Sequence, residues 1–130
     1  MNYFSVYLTL ASSTFDPLVA FYQNLLGQPP SPLWPACYAE FRLPGLRLGI
    51  FKPRIDQNPE FQSATSGAMS LGLEVPDLEV AIAHLTHLGY PPPGPILIDS
   101  HGREVYAYDP DGNRLILHQA PAGTAEEKPE

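Results

Sequence analysis

The chain carries the same local plan twice, and a repeat of that kind limits the fold more than any other feature. FDPLVAFYQNLLG (Phe15 to Gly27) and PDLEVAIAHLTHLG (Pro76 to Gly89) each run Asp, three residues, Ala, an apolar stretch and Leu-Gly. Each is followed by a reverse-turn hairpin, LPGLRLGIF (Leu43 to Phe51) and DPDGNRLILH (Asp109 to His118). Setting Gly45 on Gly112 places Arg47 on Arg114, Leu48 on Leu115 and Ile50 on Leu117. Two copies of one supersecondary unit are expected to build a symmetric domain, with function sought in the cleft between the copies.

The spacing of apolar residues predicts the elements. Ser5 to Leu10 alternates, with Val6, Leu8 and Leu10 on one face and Ser5, Tyr7 and Thr9 on the other, the pattern of a half-buried strand. Asp16 is read as a helix cap with Pro17 in the first turn; Leu18, Phe21, Tyr22 and Leu25 follow at helical spacing, and Gly27 stops the helix. Strands are predicted over Tyr38 to Leu43 and Leu46 to Lys52, with a short edge strand in the Pro-rich GQPPSPLWP. Pro53 to Gly67 shows neither period and reads as a linker. The second copy gives a strand over Met69 to Val75, a helix capped by Asp77 and ended by Gly89, and strands at Ile96 to Ile98, Glu104 to Tyr108 and Arg114 to His118. Asp109 and Asp111 are read as turn formers. The resulting class is α+β: two βαβββ modules, residues 3–53 and 68–119, related by a pseudo-twofold and forming a partly closed, barrel-like sheet with a concave pocket. Residues 54–67 link them, and an acidic tail, 120–130, is expected to be disordered.

Composition narrows the function. A net charge of −7 with only 7 Lys and Arg leaves no basic stripe for nucleic acid. No apolar run approaches the roughly 20 residues that span a bilayer, and Met1-Asn2-Tyr3 lacks a basic leader, so neither membrane insertion nor secretion is indicated. Cys37 stands alone, which fits a reducing cytoplasm, and is read as a small buried residue.

The residues AFYQNLLG (Ala20 to Gly27), SLGLEVPDLEVAIAHLTHLG (Ser70 to Gly89) and HGREVYAYDPDGNRLILHQ (His101 to Gln119) make the chain resemble the vicinal oxygen chelate superfamily: glyoxalase I, extradiol dioxygenases, fosfomycin-resistance enzymes and bleomycin-binding proteins. The resemblance covers about residues 3 to 119. It implies a divalent metal held by side chains from four strands, typically His on each first strand and Glu on each last strand. At those positions this chain has Ser70, Ile116, Gly49 and either Ser5 or Tyr7, depending on where the loops are matched. None supplies imidazole, carboxylate or thiolate, so no metal and no other cofactor is expected.

The remaining candidates line the expected pocket. Alternation turns Glu40, Arg42 and Arg47 into it, with Tyr38 and Phe51 as aromatic walls; Glu74, Ile116 and His118 face it from the second copy, and Tyr7 from the first strand. Tyr106 and Tyr108, matched to Ala39 and Phe41, are read as core under the helix. His84 and His87 are assigned to the solvent face of their helix and His101 to a solvated loop. The expected function is metal-free binding of a small, largely apolar molecule by a cytoplasmic homodimer. The alternatives are a glyoxalase-type lyase or isomerase drawing acid and base from Glu40, Glu74 and His118, and a protein-interaction module with a vestigial pocket.

Overall fold

In a computed structural model, which describes residues 1–62 and 67–122, the chain divides into two compact units, residues 1–64 and 65–130. The first contains β1 (Tyr7–Ala11), α1 (Phe15–Leu26), β2 (Leu33–Trp34), β3 (Tyr38–Leu43), β4 (Leu46–Phe51), a 3-10 turn (Ile55–Gln57) and α2 (Asn58–Phe61). The second contains β5 (Ser70–Glu74), α3 (Leu78–Leu88), β6 (Leu97–Asp99), β7 (Gly102–Tyr108) and β8 (Arg114–Gln119). Each unit forms an open four-stranded mixed sheet, β1-β4-β3-β2 and β5-β8-β7-β6, so the two copies share one strand order. The first strand of each unit runs parallel to the last, and the remaining pairs are antiparallel.

One face of each sheet lies under a helix. In the first unit Ala39, Phe41, Leu48 and Ile50 are fully buried with Leu18 and Tyr22 of α1, which packs over β4. In the second, Val105, Ala107, Leu115 and Leu117 are buried with Leu78 and Leu85 of α3, which packs over β8. Covering each large side chain is worth roughly 2 kcal/mol, and the i, i+4 pair Leu18–Tyr22 sets that face of α1. Both helices end at a glycine in the left-handed region, Gly27 and Gly89, as the Leu-Gly motif implies.

The local departures have physical causes. Asp16 is not the cap of α1. The helix begins one residue before it, and Thr14 is the cap, its backbone N–H bonded to Ser12 Oγ, while Asp16 adds negative charge to the first turn. Asp77 does cap α3, accepting from the Val80 N–H. Within the stretch read as an aperiodic linker, residues 55–61 fold into the 3-10 turn and α2, too short to show a period. Cys37 is exposed, because the tight turn at Ala36 (φ 58°) ties Cys37 down by its backbone, N–H to the Trp34 carbonyl and carbonyl to the Lys52 N–H, and leaves the side chain outside. The acidic tail from residue 123 onward lies outside the described residues.

The largest correction concerns Tyr106 and Tyr108. They are not helix-side core: Tyr106 is 38% exposed, whereas Val105 and Ala107 are buried at 1% and 0%. In the first hairpin Arg42 pairs with Arg47 across the four residues Leu43 to Leu46; in the second the matched pair, Tyr108 and Arg114, spans the five residues Asp109 to Asn113. The second turn holds one residue more, so β7 matches β3 at an offset of 66 where β8 matches β4 at 67, and one step exchanges the two faces of a strand. Asp109 shapes that turn, its buried carboxylate accepting from the backbone of Asp111 and Asn113 and from the Asn113 side chain at 2.8–2.9 Å.

The face assignment is testable by a pair of neighbours. Val105→Ser, which removes methyls and buries a hydroxyl, is expected to cost about 3 kcal/mol in urea denaturation, and Tyr106→Ser less than about 1 kcal/mol. Equal losses would contradict the register.

Candidate functional site

The sheet face opposite α1 collects most of the chemistry of the first unit. The register places Tyr7 beside Arg47 and Arg42, Thr9 beside Gly49 and Glu40, and Ala11 beside Phe51 and Tyr38, with Trp34 opposite Tyr38 on the outer strand. Glu40 is its centre. It is only 7% exposed, and its backbone is held on both sides, N–H to the Pro32 carbonyl and carbonyl to the Ser31 N–H. Its carboxylate is fully engaged: the Tyr38 hydroxyl donates to Oε1 at 2.8 Å, and Arg47 Nη1 and Arg42 Nε approach Oε2 at 3.3 and 3.4 Å. Arg47 also donates to Ser5 Oγ and lies over the Tyr7 ring, 5.3 Å from its centroid. Burial, reinforced by the bond to Glu40, pushes the Tyr38 phenol up to about 12, so it remains a hydrogen-bond donor throughout the physiological range.

Aromatic rings continue along the same face. Trp34 and Tyr38 lie 5.6 Å apart, and Phe51, directly opposite Tyr38, meets Phe61 of α2 edge-on at 4.9 Å. Trp34 and Phe61 were not singled out from the sequence, since a two-residue strand and a four-residue helix are too short for a pattern to reveal.

The equivalent face of the second unit is chemically different. His118 Nδ1 lies 2.9 Å from Glu74 Oε1, the two residues being paired across β5 and β8. Glu104, opposite His118 on β7, accepts from the Tyr106 hydroxyl at 3.3 Å, and Arg114 donates to Ser70 Oγ at 3.0 Å. The bond to Glu74 raises the His118 pKa, partial burial opposes it, and the Glu74 charge, a backbone hydrogen bond to His101 and the Glu104 charge add to the rise. Ile116 sits between Gly72 and Tyr106 on the same face. His84, His87 and His101 are exposed.

The register decides which residue of the first strand is the counterpart of Ser70. Arg47 and Arg114 are matched residues, and they pair with Tyr7 and Ser70, so Tyr7 is the counterpart of Ser70; Ser5 lies ahead of β1. The four positions that the resemblance implies are then Tyr7, Gly49, Ser70 and Ile116, side chains with no imidazole, carboxylate or thiolate to offer Zn²⁺, Fe²⁺ or Ni²⁺. Gly49 has a different use. A Cβ there would lie 2.8 Å from the Tyr38 hydroxyl oxygen and 3.1–3.2 Å from its ring, so the absent side chain is what seats the phenol against β4 beside Glu40. No cluster of three or more His, Cys, Asp or Glu suited to a metal ion occurs among the described residues.

No family model matches the sequence, and no curated protein does. Solved structures share its fold. A glyoxalase-related enzyme from Fulvimarina pelagi is 22% identical with a TM-score of 0.72, over 90% of this chain and 88% of that one. A glyoxalase/bleomycin resistance protein from Catenulispora acidiphila is 25% identical with a TM-score of 0.65, over 89% and 97%. Lactoylglutathione lyase from Agrobacterium tumefaciens is 20% identical with a TM-score of 0.67, over 88% and 92%. The chain has the vicinal oxygen chelate fold of the glyoxalase and bleomycin resistance proteins.

Two expectations follow. Gly49→Ala is expected to displace the Tyr38 ring and cost about 1–3 kcal/mol, while adding little in a Tyr38→Ala background; additive losses in a double-mutant cycle would refute the packing. His118 has a folded pKa above its unfolded value of 6.5. Its contribution to stability is therefore full below about pH 6.5 and is lost as pH rises through the folded value. Denaturation across that window is expected to show the decline, and His118→Gln to remove it.

Proposed function

We propose that this chain is a glyoxalase/bleomycin-resistance-like protein that binds a small, largely apolar molecule without the divalent metal of the family's enzymes. The observation that carries this reading is the sheet face opposite α1, where Trp34, Tyr38, Phe51 and Phe61 present an aromatic row beside a saturated polar centre at Glu40. Stacking surface with a few fixed polar groups suits a small ligand, and the Tyr7, Gly49, Ser70, Ile116 set does not suit an ion. We place the protein in the cytoplasm as a homodimer: Cys37 is unpaired, and the exposed edges of open sheets are commonly covered by a symmetric partner.

A second reading, a lyase or isomerase, draws support from the Glu74–His118 pair, because a carboxylate that orients an imidazole is a usual arrangement for proton transfer. In that reading His118 exchanges the proton and Glu74 holds the ring; fold alone does not choose between the two.

Metal analysis and a thermal-shift screen separate them. Purified protein is expected to carry far less than one equivalent of Zn, Ni, Fe, Mn or Co, and chelator to leave its melting temperature unchanged. An apolar ligand at 100 times its dissociation constant is expected to add about 2.7 kcal/mol of stability. A stoichiometric ion, or turnover abolished by His118→Asn, would displace the binding reading.

A further inference from the structure

The charges beside the aromatic row restrict what a ligand can be. Glu40 is the only acid among the described strand residues on the face opposite α1, and its oxygens are taken, Oε1 by Tyr38 and Oε2 by Arg47 and Arg42. A cationic ligand would find its one counter-charge already shared by two guanidinium groups. Those two groups against one carboxylate leave the strands of this face with a surplus positive charge, in a protein whose net charge is −7.

The two arginines are not equally committed. Arg47 spends Nη1 on Glu40 and Nη2 on Ser5, and its plane covers Tyr7. Arg42 spends only Nε, and its side chain is 66% exposed. Both Nη groups, four of the five guanidinium donors, have no partner among the described residues. Tyr38 and Arg42 meet on the same carboxylate, so Glu40 joins the arginine to the hydroxyl end of a ring whose centroid lies 5.6 Å from that of Trp34, the two planes tilted by 38°.

We infer that the molecule bound here is a small planar carboxylate, its ring or conjugated plane on Trp34 and Tyr38 and its carboxylate on the Nη groups of Arg42. Guanidinium binds a carboxylate through two parallel hydrogen bonds, and aromatic faces accept a flat partner. Arg47, held by Glu40 and Ser5, contributes charge without moving. This rests on the reading of the face as a ligand site and fixes the ligand's chemical class.

Trp34 is the chain's single tryptophan, so its fluorescence reports on this face alone. The probes are 4-nitrobenzoate, 4-nitrobenzyl alcohol and 4-nitrobenzylamine: one quenching ring with an anionic, a neutral or a cationic substituent. The benzoate is expected to quench Trp34 saturably and to bind at least about fivefold more tightly than the other two, an advantage reduced by added salt. Arg42→Gln, at an exposed position, is expected to remove that advantage and to leave the alcohol's weaker quenching in place. If the alcohol or the amine binds as tightly as the benzoate, or Arg42→Gln leaves the benzoate unaffected, the carboxylate assignment falls and the ligand face stands. If no probe gives saturable quenching, both fall.

Discussion

Leu48 and Ile50 in one unit, and Leu115 and Leu117 in the other, have to lie beneath a helix, and that requirement orients every other side chain in the sheets. Strand residues alternate between faces, so burying two positions on β4 decides the placement of Arg47, Gly49 and Phe51, and pairing with β3 then decides that of Tyr38, Glu40 and Arg42. The polar face is thus a by-product of core packing. Its residues are free to vary without disturbing the apolar contacts that hold each unit together.

The two copies show how far that freedom has been used. Positions aligned by register hold Tyr38 and Phe51 in one unit and Glu104 and His118 in the other; Glu40 corresponds to Tyr106, and Gly49 to Ile116. The same backbone therefore presents an aromatic row beside surplus positive charge in the first unit. In the second it presents an acid–imidazole network, Glu74, His118 and Glu104, tied to Tyr106. Only the arginines at 47 and 114 keep their type, and both brace the first strand of their unit, one through Ser5 and Tyr7, the other through Ser70. Chemistry has diverged where packing does not constrain it.

Much of this was legible before any coordinates. The helices at Phe15–Leu26 and Leu78–Leu88, their glycine stops and the βαβββ succession of elements in each copy follow from the repeat and its periods, because those segments are long enough for a pattern to accumulate. The faces of Glu40, Arg47, Glu74 and His118 follow from alternation in the same way. Pattern failed where it was too short or where one residue mattered. Trp34 and Phe61 sit in elements with no room for a period, and Tyr106 was assigned to the wrong face by a turn one residue longer than its counterpart. Pairwise chemistry was out of reach altogether: that Gly49 is a seat for the Tyr38 phenol depends on a close approach between strands, which no local pattern records.

The extra residue between β7 and β8 has a wider implication. In a coding sequence a single inserted unit changes every downstream reading; here a single inserted amino acid changes which half of a strand is read by solvent and which by the core. Its effect stops at the turn on one side, because β8 is anchored by parallel pairing to β5 and by the buried pair Leu115 and Leu117. Only β7 departs from the offset of 67, and Val105 and Ala107 occupy the inner positions that Ala39 and Phe41 hold on β3. Duplicated modules thereby acquire a route to new surfaces that needs no change of backbone architecture: lengthen a hairpin by one, and a strand's hidden and displayed residues trade places in a single event.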